Sequence, residues 1–229
     1  SEWEPSLKGT HSDTPVFIQN GQDLGATVYI EGGIHANEPA GMLAAVMFLE
    51  RAKVKKGRLI VMPYTNMSAF MNNFAQDAAP QHFTIKQPGD AERTFRFGSR
   101  ATNPIDQWPD PTIYIQYPSG QELDGPSKRN MNRAFPGDPK GDISQRAAYG
   151  IMKLLKNEHV DLAFDLHESA PEYPVINTMV VNENAMELGA TATMELQEHG
   201  VQMGVEPSPK NFRGLSHREW GEVVPWLKV

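Results

Sequence analysis

Two short stretches each set an imidazole close to an acid. Residues 32–41 read GGIHANEPAG, with His35 and Glu38 between paired glycines and a proline. Residues 160–169 read VDLAFDLHES, with His167 following Asp165 by two positions. Two histidines and one carboxylate, with a fourth position open to water, are a ligand set of catalytic zinc, which lowers the pKa of water and polarises a carbonyl. A plainer reading also stands: a polar turn, and histidines in unrelated hydrogen bonds. Asp165 is read either as an acceptor for a ligand N–H or as a polar strand residue. A third stretch, RNMNRAFPGD (129–138), places Asn132 beside Arg133 in a Gly/Pro-rich loop. A guanidinium can grip a carboxylate with two parallel hydrogen bonds while the amide adds a directed one. The alternative is that Arg133 ties down its own loop through backbone carbonyls. His11, His82, His159 and His199 lack comparable settings, whereas His217, in GLSHREWGE, is less easily set aside.

These stretches matter only if the fold brings them together. ATVYIEGGIH (26–35) is a β-rich run ending at Gly-Gly, read as a strand and a turn. EPAGMLAAVMFLERAK (38–53) suits a helix, with Pro39 in the first turn and helix-forming Ala, Leu and Met behind it. GRLIVMPYTN (57–66) is a second strand, stopped by Pro63. Strand, helix and strand in this order imply a parallel sheet. Alternation along 160–169 puts Ala163, Asp165 and His167 on one face, and Leu162, Phe164, Leu166 and Glu168 on the other. His35 and His167 then both lie at carboxyl ends of strands, where open parallel sheets bind ligands.

Residues 67–142 keep no helical period and are rich in Pro, Gly, Asn, Asp and Gln. Connections of this length are uncommon in compact domains and are often functional. An ordered excursion that walls a pocket is expected, with a decorative surface insertion as the plainer alternative. Regular structure resumes with a helix over 144–158, N-capped by Ser144, and the strand over 160–169. A strand over 173–182, a helix over 183–200 closed by Gly200 and a short strand over 201–207 follow. The alternation predicts one α/β domain, a three-layer αβα arrangement with a mainly parallel mixed sheet.

Composition sets the outer bounds. A chain of 229 residues with 39% hydrophobic content suits a single large α/β domain, and no apolar run is long enough to span a bilayer. The formal charge of −7 argues against nucleic-acid binding, and KVKKGR (53–58) reads as a solvated helix end. There is no cysteine, so disulfides and thiolate zinc sites are excluded and a metal would need His, Asp or Glu. SEWEPSLKGT has neither the charge nor the apolar segment of a signal peptide, and it lacks an initiator Met, as in a processed chain or part of a longer product. A cytoplasmic location is expected.

Taken in order, GGIHANEPAG, IVMPYTNMSAF, RNMNRAFPG and DLAFDLHES resemble the zinc carboxypeptidase superfamily, and within it the succinylglutamate desuccinylase/aspartoacylase branch. The resemblance spans roughly residues 26–200 and implies a zinc-peptidase-like fold with one Zn2+ per chain. It implies His35, Glu38 and His167 as zinc ligands, and Asn132 and Arg133 as contacts to a substrate carboxylate. The family's carbonyl-polarising arginine falls on Arg129, slightly preferred, or on Arg100 in GSRATNP, which is also a candidate substrate contact. The family's general base is a glutamate well downstream of the last histidine ligand. Glu206, Glu219 and Glu222 all come too early for it, so the base is expected beyond residue 229 in an incomplete domain, with loss of the base as the alternative. The implied function is an N-acyl-amino-acid deacylase acting on a small molecule or short peptide with a free carboxylate. A peptide-cleaving metallocarboxypeptidase, a metal-binding homologue without turnover and a structural interaction module are the alternatives.

Overall fold

The computed structural model describes residues 1–71, 80–169 and 177–229. Its strands are β1 (Phe17–Asn20), β2 (Asp23–Gly32), β3 (Lys56–Met62), β4 (His82–Lys86), β5 (Glu92–Arg96), β6 (Ile113–Ile115), β7 (Glu122–Asp124), β8 (Leu162–Leu166), β9 (Thr178–Val181) and β10 (Gly204–Pro207). The helices are α1 (Pro39–Arg51), α2 (Ile143–Asn157), α3 (Met186–Glu198) and α4 (Ser216–Val223). The central sheet has the order β1-β3-β2-β8. β3, β2 and β8 run parallel, and β1 joins the edge antiparallel. The mixed, mainly parallel sheet follows from the β2–α1–β3 unit, because a crossover helix returns the chain in the same direction.

Both faces of this sheet are covered, which explains why its strands read as nearly continuous apolar runs. Tyr29, Ile60, Met62 and Ala163 pack with Ile151, Leu154 and Leu155 of α2, with Phe135, and with Trp220 of α4. Ile30, Leu59 and Val61 pack instead with Ala45 of α1. Alternation along β8 follows the expected faces: Ala163 belongs to the α2 side, and Leu166 packs on the α1 side. The N-cap of α2 lies two residues earlier than its sequence suggests. It is Asp142, whose side chain accepts from Gln145 N while Gln145 returns a bond to the Asp142 backbone. This reciprocal box satisfies two donors at once and outcompetes Ser144 as the cap. Ser144 lies in the first turn and bonds Gln107 Oε1 at 2.8 Å.

Between β3 and α2 the described residues are built from short pieces. The β4–β5 hairpin stacks Phe83 on Phe95, and both belong to a small core with Phe70. The β6–β7 hairpin leads into two 3₁₀ turns, Gly125–Arg129 and Met131–Arg133. The strand expected over 173–182 is present as Thr178–Val181, paired in parallel with β10; residues 173–176 lie outside the described residues. β1 and α4 carry no clear sequence signal, because four and eight residues are too few to establish a period.

Candidate metal centre

The site lies at the carboxyl ends of β2 and β8. β2 closes on Gly33, whose φ of 75° belongs to the left-handed region that glycine enters without strain. This turn carries His35 over the sheet edge, and Glu38 follows as the residue before α1. α1 then presses on the end of β8: a Cβ at Gly41 would come within 2.2 Å of the Leu166 carbonyl oxygen. Only a residue without a side chain allows that approach, and it is what brings Glu38 to His167.

The three side chains converge. Glu38 Oε1 lies 2.8 Å from His35 Nδ1, and Glu38 Oε2 lies 2.8 Å from His167 Nδ1. The two rings are 4.9 Å apart, and one ligand atom from each residue falls within 4.8 Å of the others. The opposite nitrogens are committed elsewhere. His35 Nε2 faces Asn130 Oδ1 at 2.9 Å, and that oxygen also accepts the Asn132 backbone N–H. His167 Nε2 faces Asp165 Oδ2 at 2.8 Å. Acceptors on both Nε2 atoms leave each Nδ1 turned toward the Glu38 carboxylate, and acceptors behind ligand imidazoles fix this orientation in metal sites. In the metal-free cluster His167 donates through Nδ1 to Glu38, and a cation bound there would take the place of that proton. The donor set therefore fits a divalent metal, zinc included.

Electrostatics follow from this crowding. Burial works to raise the Glu38 pKa, but hydrogen bonds from His167 and His35 hold it well below the usual carboxylate range. Burial lowers His35. For His167 burial also acts downward, yet Asp165 and Glu38 together carry it up to about 10. Its side chain keeps 27% of its surface open, which leaves one side of the cluster accessible to a ligand.

The RNMNR loop arrives from the other side. Asn130 supports His35 as described, a role the sequence reading did not assign, although the Asn-x-Asn spacing was visible. Asn132 accepts from Ser216 N at 2.9 Å through Oδ1, so its Nδ2 is the atom 3.4 Å from His167 Nε2. Ser216 also donates through Oγ to Asp165 Oδ2, linking the loop, β8 and α4. Nothing in the sequence around Ser216 announces this. Arg133 donates to Asn132 O at 2.6 Å, and its guanidinium lies 4.6 Å from the Phe212 ring centre. Arg129 is buried and makes a two-pronged contact with Asp110, at 2.7 and 2.8 Å, plus a bond to Thr102 O. Arg100 instead donates to Glu38 Oε1 at 2.8 Å, and half of its side chain is exposed. A backbone exchange between Ala36 and residues 98–99 holds it there. Glu219 and Glu222 are engaged by Arg213. His217 bonds Ser208 Oγ at 2.8 Å, and burial brings it down to about 4.

No protein-family model matches the chain, and no curated protein matches it significantly. Solved structures do. A succinylglutamate desuccinylase from Silicibacter sp. TM1040 aligns with a TM-score of 0.56 and 20% identity over 94% of this chain and 51% of its own. The product-bound ectoine utilization protein EutE (DoeB) from Ruegeria pomeroyi aligns with a TM-score of 0.55 and 19% identity over 94% and 52%. The product-bound cell shape determinant Csd4 from Helicobacter pylori gives 0.53 and 14% over 86% and 42%. Structural neighbours of this chain thus include a succinylglutamate desuccinylase, and the chain shares the fold of these proteins. It spans about half the length of these structures.

Proposed function

We propose that this chain carries a zinc-dependent amidohydrolase site that cleaves an amide bond next to a free carboxylate, as an N-acyl-amino-acid deacylase. The observation that carries the reading is the meeting of His35 Nδ1, Glu38 and His167 Nδ1, with both Nε2 atoms held by acceptors. A zinc ion on these three residues supplies Lewis acidity to a carbonyl and to water. The residues around it divide the remaining work. Asn132 lies beside His167 and Arg133 follows it on the same loop; in this reading they bind the substrate carboxylate, the guanidinium by its fork and the amide by one directed bond. Arg100 reaches the cluster through Glu38 and takes the role of cation facing the scissile carbonyl. Arg129 holds the loop against Asp110 and has no direct part in the chemistry.

The same reading takes the chain as one domain of three αβα layers, in which residues 67–142 wall the pocket, in a protein of the cytoplasm. No described helix is long and apolar enough to cross a membrane. The test is a substrate panel with the zinc-loaded protein: N-acetyl-aspartate, N-succinyl-glutamate and an N-blocked dipeptide. The proposal expects free amino acid from at least one of the first two and its loss in His167→Ala. Release from the dipeptide alone would overturn the deacylase assignment.

A further inference from the structure

Residues 208–215 join β10 to α4, and part of this link lies against the loop that carries Asn132 and Arg133. The backbones meet at Gly214, where a Cβ would come within 2.4 Å of the Arg133 carbonyl oxygen. The Gly214 N–H donates to Glu219 Oε1 at 3.0 Å, which fixes this end of the contact to α4. Gln121, the residue before β7, fixes the other end. Its Nε2 donates to Asn211 O at 3.0 Å, and its Oε1 accepts the Arg213 N–H at 2.9 Å. A single side-chain amide thus grips the backbone on both sides of Phe212.

These ties aim the Phe212 ring. The Arg213 side chain turns to Glu219 and Glu222, and the ring meets Arg133, whose guanidinium carbon stands 4.6 Å from the ring centre. At that distance the ring quadrupole attracts the cation. A second contact holds the same guanidinium, since Nη1 donates to Asn132 O at 2.6 Å. The Arg133 carbonyl is held in turn by the Tyr114 hydroxyl. An acid in the place of Phe212, of the kind that meets Arg129 and Arg213, would cancel the charge it anchored. An aromatic face holds a cation without cancelling its charge or supplying an oxygen that competes for its N–H groups. We propose that Phe212 is a positioning residue: it holds the Arg133 guanidinium for the substrate carboxylate, and so governs affinity more than turnover. This rests on the deacylase reading, in which Arg133 binds that carboxylate.

The experiment measures hydrolysis of N-acetyl-aspartate and N-succinyl-glutamate by the zinc-loaded protein. Wild type is compared with Phe212→Leu, Phe212→Tyr, Arg133→Ala and the Phe212→Leu/Arg133→Ala double variant, with circular dichroism on each. Phe212→Leu should raise KM roughly 3–10-fold with a smaller change in kcat, as expected for a lost cation–ring contact that acts on binding. Phe212→Tyr keeps a ring face and should stay within about twofold of wild type. In the double variant Phe212→Leu should add nothing to the effect of Arg133→Ala, because a positioning residue acts through its partner. An unchanged KM in folded Phe212→Leu, beside a raised KM in Arg133→Ala, overturns the inference and leaves the deacylase reading standing. So does a rise of the same size with and without Arg133. An unchanged KM in Arg133→Ala removes the carboxylate role of Arg133, and the inference with it. A second readout needs neither zinc nor turnover: nitrogen relaxation of the Arg133 Nε–H, assigned by its loss in Arg133→Ala. This group should be ordered in wild type and Phe212→Tyr and mobile in Phe212→Leu. Equal order in wild type and Phe212→Leu refutes the positioning, whether or not either substrate is cleaved.

Discussion

Asp165→Asn tests how the site is held together. One oxygen of Asp165 takes two donors, His167 Nε2–H at 2.8 Å and the Ser216 hydroxyl, in a nearly dry setting. Asparagine has about the same shape and can still offer one oxygen, so the packing survives and only the charge goes. A hydrogen bond to an ionised acceptor contributes about 1.5–3 kcal/mol, against about 0.5–1.5 for a neutral pair. The expected loss is therefore about 1–2 kcal/mol of preference for the metal-ready tautomer. At about 1.4 kcal/mol per factor of ten, zinc should bind roughly 5–30-fold more weakly. The assay is competition against a chromophoric chelator, with circular dichroism to check the fold. Unchanged affinity in a folded Asp165→Asn protein, beside a strong loss in His167→Ala, would refute the idea that Asp165 orients the ring.

Gly41→Ala should lower both the melting temperature and zinc affinity, because its Cβ would collide with the Leu166 carbonyl; overpacking costs of about 1–3 kcal/mol exceed the roughly 1 kcal/mol gained in helix propensity, and differential scanning calorimetry reads the balance. Arg129→Ala should destabilise by about 3–5 kcal/mol in urea unfolding, since it strands Asp110 in a largely buried pair, whereas Arg100→Ala should change stability by less than about 1 kcal/mol yet lower kcat by roughly 100-fold. In the metal-free protein His167 is raised from 6.5 to about 10, so its contribution is complete below about pH 6.5 and fades as pH rises toward 10; the melting temperature of the apo form should fall across that window, and zinc loading should flatten the fall because the metal takes the neutral ring.

Much of this arrangement was legible in the residues, for identifiable reasons. β2, α1 and β3 could be read because a run of buried β-formers, Pro39 at a helix start and Pro63 at a strand end are local signals. His35, Glu38 and His167 could be brought together because strand alternation and parallel order put them at one sheet edge. The support around them could not. Asn130 was passed over beside its neighbour Asn132, and Ser216 reaches Asp165 from a helix of eight residues that has no periodic signature. The partners of the arginines also come from afar: Asp110, 19 positions away, bonds Arg129, and backbone bonds at Ala36 carry Arg100 to Glu38. Contacts between distant loops leave no local trace.

Metal stoichiometry bears most directly on the whole proposal. The purified protein, loaded with zinc and freed of excess by gel filtration, should retain one equivalent per chain by elemental analysis, and His35→Ala, Glu38→Ala and His167→Ala should each retain far less while staying folded. A wild type that keeps no zinc, or triad variants that keep as much as wild type, would contradict it.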